Sequence, residues 1–475
     1  MAKESLIELR SIGYVPLAER HGKVHQLWPV WFSGDANIAT LAVGVIGIAM
    51  GGSFWWTLIA VTGGCALGTF FMAFHSTQGP QLGLPQLIQS RPQFGYLGAL
   101  LVWVVALVAY IGYNAFNSVL GAQAVRQLMG AHAPSDTVII VALMLLALAI
   151  ATAGYDWIHR AQRLVAYTLL SLLSLFTLGL FIAVPSLPPT FSHLGAFQLN
   201  PFLVQFFAAA AYQISWSIYV SDYSRYLPPD VGVGASFFWT YVGAFVGGLW
   251  MMLLGTISAA MFPQAEISAA VQLSADAEWR GFGVVLLGGS LLGLVTISTC
   301  NFYGASLTLL SVADCVRPHK PSRAGRIWSL GISAVASIGI ALLASREFAQ
   351  RFDQLLAVLL YLMTPWTAIN LVDFYVVRKS TYSVREIFNP DGLYGRWNWR
   401  GLVAYGVGFA SMVPFFSTHL YTGPIARHFG GADLAMLVGL PVSSLVYLWA
   451  CRSIDIEAER AAVRQADRDL DAKPA

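Results

Sequence analysis

The chain has 475 residues, of which 57% are hydrophobic and only 11% charged. Soluble domains carry about 25% charged residues, so these proportions exclude a water-soluble globule and indicate an integral membrane protein. The net charge of +3 describes no single surface: the basic residues gather in short loops and in the tails, and they form no patch suited to nucleic acid.

Residues 1–26 are of mixed charge and lack the basic, apolar and small-residue succession of a cleaved signal, so they read as a retained cytoplasmic tail. Crossing about 30 Å of hydrocarbon takes roughly 20 apolar residues. Windows near that length are Leu27–Met50, Phe54–Phe74, Tyr96–Leu128, Thr137–Ala153, Leu164–Val184 and Pro201–Leu227, then Ala235–Met261, Gly281–Val312, Ile327–Ala344, Leu355–Val377, Gly401–Phe416 and Leu434–Cys451. These twelve predicted spans are numbered in chain order.

Span 1 places Gly34, Asp35, Ala36 and Asn37 about a third of the way across. A charge at that depth costs a few kcal/mol, so the Asp35 carboxyl is expected to be paired, hydrated or protonated. Gly34 and Asn37 weaken the helix there, which predicts an unwound segment lining a cavity. The following loop, His75–Tyr96, mixes Gly, Pro and Gln with apolar residues and reads as a structured cytoplasmic connection.

Span 3 carries Tyr110, Asn114, Asn117 and Gly121 on one stripe, with Tyr113 and Asn117 an i, i+4 pair. In span 6, Gln205, Tyr212, Trp216 and Tyr219 fall at i, i+7, i+11 and i+14, one face of a helix, with Gln213, Ser215 and Ser217 beside them. An unpaired polar group in hydrocarbon costs roughly 2–7 kcal/mol, so this face must meet protein, water or a solute. Its density points to a solute pathway. Span 8 adds Thr296, Ser298, Thr299, Asn301 and Tyr303. A lone Ser or Thr commonly bonds its own i−4 carbonyl. An asparagine is harder to satisfy, having four hydrogen-bonding sites.

Spans 1, 3, 6 and 8 are therefore the polar ones. In a five-plus-five inverted repeat, spans 1 and 6 correspond, as do 3 and 8, so polarity and repeat position together predict a central site between two related halves. The halves are residues 27–184 and 201–377, followed by two additional spans over 401–452 and a charged cytoplasmic tail over 453–475. In that tail Ile454, Ile456 and Val463 are too sparse to predict docking. With the N-terminus inside, only Arg126, Arg280, Arg346, Arg351 and Arg427 of the 27 Lys and Arg fall outside, which predicts that both termini are cytoplasmic.

Cys65, Cys300, Cys315 and Cys451 show neither metal-ligand spacing nor a disulfide framework. No HExxH pair, nucleophile elbow or GxxxxGK[ST] loop is present, so the expectation is a transporter, not an enzyme, with no cofactor and no ATPase partner.

From Trp28 to Arg400 the chain resembles the nucleobase–cation symporters, the group of purine–cytosine permeases and hydantoin and allantoin carriers. The resemblance rests on Gly79…Gly83-Leu84-Pro85-Gln86…Ser90-Arg91…Phe94-Gly95 after span 2 and Gly112-Tyr113…Asn117…Gly121-Ala122-Gln123 in span 3. It continues through Asp222-Tyr223-Ser224-Arg225-Tyr226, Asn301-Phe302-Tyr303 and Pro365-Trp366…Asn370…Asp373-Phe374-Tyr375…Arg378.

The resemblance implies an all-α membrane fold of twelve helices, alternating access, and a flat heterocycle stacked between aromatics. Tyr113 would be the span 3 aromatic, with Tyr212, Gln213 and Trp216 opposite in span 6. Asn117 and Asn301 would read the ring edge. Where relatives carry Trp in span 3 this chain has Tyr113, and where they carry small or hydroxyl residues in span 1 it has Asp35. That carboxyl can accept from a ring NH or an exocyclic amine, or can carry a coupling proton. Asp35, Asn37, Thr296 and Thr299 are the candidates for cation coupling, by proton or sodium. A sodium ion would lie near Thr296, but Leu292 and Val295 fit the sodium-binding pattern poorly, which favours protons. The expected function is import of a nucleobase or related heterocycle by cation symport across a bacterial inner membrane. The alternative is an amino-acid or amine symporter of the same fold with Asp35 pairing the amine.

Overall fold

The computed structural model describes residues 12–183, 189–317, 322–343, 352–468 and 470–471. Among them the chain is helical, with one isolated antiparallel bridge between Ser417 and Thr422. Span 1 is Leu27–Asp35 followed, at a 62° bend, by a second half beginning at Ile38. Spans 2 to 5 are Phe54–Ser76, Leu100–Met129, Asp136–Ala153 and Tyr155–Ala183. Span 6 is Leu199–Ser215, a tight turn over Trp216–Ile218, then Val220–Ser224. Spans 7 to 12 are Gly232–Met261, Phe282–Val316, Arg323–Leu343, Phe352–Val372 extended by a π turn, Trp399–Met412 and Ala435–Cys451. Span 5 starts earlier than its apolar window because its first turns carry His159, Arg160, Gln162 and Arg163. A hydropathy window omits these residues, yet they continue the helix.

The packing obeys the repeat. Span 1 packs on span 7 as span 6 packs on span 2, span 1 on span 5 as span 6 on span 10, and spans 3 and 8 pack on each other. Exchanging each span for the one five places on leaves this pattern unchanged, as an inverted repeat requires. The chemistry of the contacts repeats too. On span 2 a Cβ at Gly64 or Gly68 would lie 2.0 Å from the Phe206 carbonyl oxygen or 2.3 Å from that of Ala210. On span 7 a Cβ at Gly243 or Gly247 would lie 2.5 Å from the Trp28 carbonyl oxygen or 2.7 Å from that of Phe32. Without an apolar driving force between helices in lipid, such glycine pairs let backbones close to dispersion contact. Each broken span is thus held against a glycine stripe in the opposite half.

Both tails lie on one face. The Tyr14 hydroxyl donates to the Asp471 carboxylate at 3.0 Å and the Leu17 amide donates to it at 3.0 Å. The residues 77–96 connection is structured and buried on that face, as expected. Most of the motifs that carry the family resemblance meet there and build a frame. Ser221 and Ser224 donate to the carbonyls of His75 and Ser76 at 2.8 and 2.7 Å, and a Cβ at Gly79 would lie 2.1 Å from Ser224 Oγ. Gln78 donates to Asn370, and the Trp366 indole to Ser90. The π turn over Asp373–Val377 brings residues five apart together, so Arg378 pairs with Asp373 at 2.5 Å.

Arg91, Arg225, Arg326 and Arg378 do lie in a loop or at span ends, and all four are buried there. Arg91 pairs with Asp314 at 2.9 Å. One expectation is corrected here. The C-terminal tail, expected to be undocked, is anchored by charge as well as by its sparse apolar residues, Val463 being buried and Ile454 and Leu470 packed against the core. Its helix Ile456–Ala466 places Glu459 2.5 Å from Arg378, while Asp467 accepts from Ser383 Oγ and the Val384 amide at 2.9 and 2.7 Å. Lys3, Arg10, Lys320, Arg346, Arg351 and Lys473 lie outside the described residues.

Candidate functional site

Span 1 comes apart where the sequence predicts. Ala36 and Asn37 leave helical geometry, and Asn37 caps the second half by accepting from the Ala39 and Thr40 amides at 2.8 and 3.2 Å. Its amide group donates back to the Gly34 carbonyl at 2.6 Å. An N-cap of this kind satisfies orphan amide donors at the new helix end. Asn37 is spent on the break itself, and so is not free to bind an ion through its side chain.

Span 6 departs from the helix expected of it. It breaks after Ser215, and Tyr219 leaves helical geometry at φ −143° and ψ 11° before the helix resumes. The single stripe is therefore divided in its duties. Gln205 braces span 1, accepting from the Gly47 amide at 2.7 Å and donating to the Val43 carbonyl at 3.0 Å. Tyr212, Trp216 and Tyr219 instead turn to a narrow cavity whose free space, about 10 Å³, is that of a single water. Tyr113 and Asn117 from span 3 and Asn301 from span 8 complete its polar and aromatic wall. Ser215, Ile218 and Ile297 fill the gaps.

The wall is held by its own bonds. The Tyr212 hydroxyl shares a 2.7 Å hydrogen bond with Thr40 Oγ1, tying span 6 to the second half of span 1. Tyr113 stands edge-on to Tyr212, centroids 6.0 Å apart, and donates to Ser215 Oγ at 2.9 Å. Asn301 donates to Asn114 Oδ1 at 3.0 Å and accepts from the Tyr219 hydroxyl at 3.3 Å. Asn117 donates to Ser298 Oγ at 3.2 Å, which leaves its carbonyl for the cavity. The walls must part before a flat ring can enter, but their chemistry suits one: aromatic faces recognise its plane, and an amide carbonyl reads a donor on its edge.

Asp35 and Gln213 do not line the cavity. Asp35 is 1% exposed, one carboxyl oxygen has no hydrogen bond, and no salt bridge reaches it among the described residues. It lies behind the aromatic wall, near Gln213, Cys65 and Tyr212. Gln213 points into the seam with spans 2 and 7, where a Cβ at Gly248 would lie 2.0 Å from its Nε2, and neither amide atom has a partner. Asp35 is thus not placed to pair an amine in the cavity. Of the other cation candidates, Thr296 donates to the Gly293 carbonyl at 2.9 Å and Thr299 to those of Val295 and Ala147 at 3.0 and 3.2 Å.

The cavity is closed unequally. Toward the tails Trp31, Tyr219, Tyr223 and Tyr303 form a thick aromatic plug, with Trp31 and Tyr223 perpendicular at 5.5 Å and Tyr223 and Tyr303 at 6.0 Å. Toward the opposite face Phe352 of span 10 packs edge-on against Tyr113 at 5.9 Å and flat on Phe116. Beyond these two phenylalanines a mouth of about 1250 Å³, open solvent included, reaches Arg126, Glu266 and His419. Sequence reasoning missed both: Phe116 is one phenylalanine within an apolar span, and Phe352, between Arg351 and Asp353, falls outside the predicted window of span 10.

Residues 14–439 match the family described as permease for cytosine/purines, uracil, thiamine, allantoin. A putative purine-cytosine permease of Bacillus subtilis, YxlA, is 35% identical over 446 residues, 93% of this chain and 95% of that protein. The purine-cytosine permease fcyB of Emericella nidulans is 27% identical over 94% of this chain and 89% of its own length. Among solved structures, the nucleobase-cation-symport-1 family transporter Mhp1, in a closed conformation with bromovinylhydantoin bound, superposes with a TM-score of 0.76 at 16% identity. The match covers 98% of this chain and all of Mhp1.

Proposed function

The chain belongs to the family of permeases for cytosine/purines, uracil, thiamine and allantoin, and from that premise we propose that it imports a nucleobase or a closely related flat heterocycle by proton symport. It is a multi-pass membrane transporter and not an enzyme. The observation that carries the substrate class is the cavity between the two breaks, with Tyr113, Tyr212, Trp216 and Tyr219 around its sides and the Asn117 carbonyl at its edge. The ring lies among the aromatics while Asn117 and Asn301 discriminate between edge patterns.

Asp35 is the group proposed to carry the coupling proton. It sits at the end of the first half of span 1, behind the wall that touches the substrate, with a carboxyl oxygen lacking a partner. A charge placed there costs several kcal/mol unless something enters to solvate it, so its protonation state and the packing of the two breaks are linked. The Asn37 side-chain oxygen, already accepting from the Ala39 and Thr40 amides, also supports a proton over a sodium ion at that position. With both tails on one face and the Lys/Arg imbalance, the tails are assigned to the cytoplasm and the mouth beyond Phe352 to the outside. The test is a thermal-shift panel of purified protein against purines, cytosine, uracil, hydantoins, thiamine, amines and amino acids, since a ligand stabilises by RT ln(1 + [L]/Kd). Stabilisation confined to amines or amino acids would reject the reading.

A further inference from the structure

We infer that Gln162 is a positioning residue of the transport cycle: its carboxamide bolts span 5 to spans 1 and 8 on the tail side of the cavity, and these bonds part when the cavity opens toward the tails.

Gln162 is buried at 1% exposure, about 10 Å into span 5 from its tail-side start at 1.5 Å per residue. Its carbonyl accepts a short hydrogen bond from Ser33 Oγ, two residues before Asp35 in the first half of span 1. Its amide donates to Cys300 Sγ at 2.9 Å and, by a long bond of 3.5 Å, to the Thr296 carbonyl, both on span 8. Asn301 and Ile297, the next residues on span 8, line the cavity. One turn nearer the tails His159 meets Tyr223 of the aromatic plug, ring centroids 5.9 Å apart. Gln162 therefore joins three helices where the cavity ends and the plug begins.

The bonds suit a latch that must release. Ser33 also has the Pro29 and Val30 carbonyls within 2.8 and 3.2 Å, so its hydroxyl keeps an acceptor when span 5 departs. A thiol is a weak acceptor. The carboxamide, once uncovered, can be solvated by the water that enters an opened path. Removing it should shift the balance between closed and tail-open forms roughly tenfold, the effect of losing one or two net neutral hydrogen bonds.

The inference rests on the proposed transport reading, with the alternating access that the family resemblance implies, but not on the substrate's identity, so its test uses no substrate. Cys300 is labelled with a maleimide added from the tail side of membrane vesicles, and the modified peptide is quantified by mass spectrometry with Cys65 as an internal control. In parallel, Gln123→Cys, on the wall of the opposite mouth, is labelled from the other face. Gln162→Ala should label Cys300 roughly tenfold faster and the residue 123 thiol more slowly than the parent, with Cys65 still protected. The second readout separates a shifted cycle from a merely uncovered thiol. Faster Cys300 labelling with no change at position 123 overturns the inference, as does no change at either. If Gln162→Ala exposes Cys65 as well, Ser33→Ala decides, since it removes one bond and little packing: the same opposed changes support the latch, and their absence overturns it. Failure of nucleobase binding would leave these results untouched.

Discussion

Phe352 lies flat on Phe116, ring centroids 3.5 Å apart and planes 2° from parallel, and this single pair separates the cavity from the mouth on the face opposite the tails. The opposite side is closed by at least two aromatic layers, Trp31 with Tyr219 and Tyr223 with Tyr303. The thinner side is expected to open at the lower cost. Phe352→Ala removes the stacked pair, worth about 0.5–1.5 kcal/mol beyond its buried area. Bound substrate should then dissociate roughly five- to tenfold faster, read by dilution of labelled ligand, with little change in association. An unchanged dissociation rate would place the outer closure elsewhere.

Trp216 is the aromatic that both lines the cavity and packs edge-on against Trp31 and Tyr212, with centroids at 6.1 and 5.8 Å. Trp216→Ala should raise the substrate Kd by roughly five- to tenfold or more, from about 1–1.5 kcal/mol of stacking and the lost burial, and Trp216→Phe should do less harm. Equilibrium binding to purified variants checks this. Unaltered affinity in the alanine variant would move the ring partner to Tyr212 or Tyr219.

The two asparagines should differ in kind. The Asn117 carbonyl has no protein donor, so Asn117→Ala should change the ranking of bases that differ in edge pattern, each lost bond costing about 1–3 kcal/mol. Asn301 also holds Asn114 and Tyr219, so Asn301→Ala should lower thermal stability as well as affinity. Competition assays across a base panel, with melting curves beside them, separate the two. A uniform loss for every base in Asn117→Ala would mark it as structural.

Glu459 and Arg378 make the docked tail testable. Both side chains are nearly covered, at 11% and 4% exposure, and 2.5 Å apart. Glu459→Gln should destabilise the protein by about 1–3 kcal/mol, and removal of residues 453–475 by more, measured as loss of melting temperature in detergent. Wild-type melting in both would show the tail to be dispensable.

Much of this was legible from residue patterns, because crossing a membrane demands long apolar windows and makes each polar exception conspicuous. Gly34, Asp35 and Asn37 announced the break in span 1, and Tyr113, Asn117, Tyr212, Trp216 and Asn301 do share one cavity. The break in span 6 was not visible, since Trp216–Tyr219 contains neither Gly nor Pro and its helical spacing looked unbroken. Periodicity identifies a face but not what covers it, so it does not reveal that Asp35 and Gln213 sit behind Tyr212 and Trp216 rather than in the cavity. The tail's docking was missed for another reason: Glu459, Asp467 and Asp471 hold it by charge, and an apolar count does not see them.

The central claim is most directly tested by uptake of labelled nucleobase into proteoliposomes carrying the wild-type protein or Asp35→Asn. The wild type should accumulate the base under an inward proton gradient, more as the outside is made more acid, and should lose accumulation with a protonophore whether or not sodium is present. Asp35→Asn should still bind and exchange the base but fail to concentrate it. Accumulation that requires sodium, or an Asp35→Asn variant that concentrates the base as the wild type does with the same pH dependence, would contradict the account.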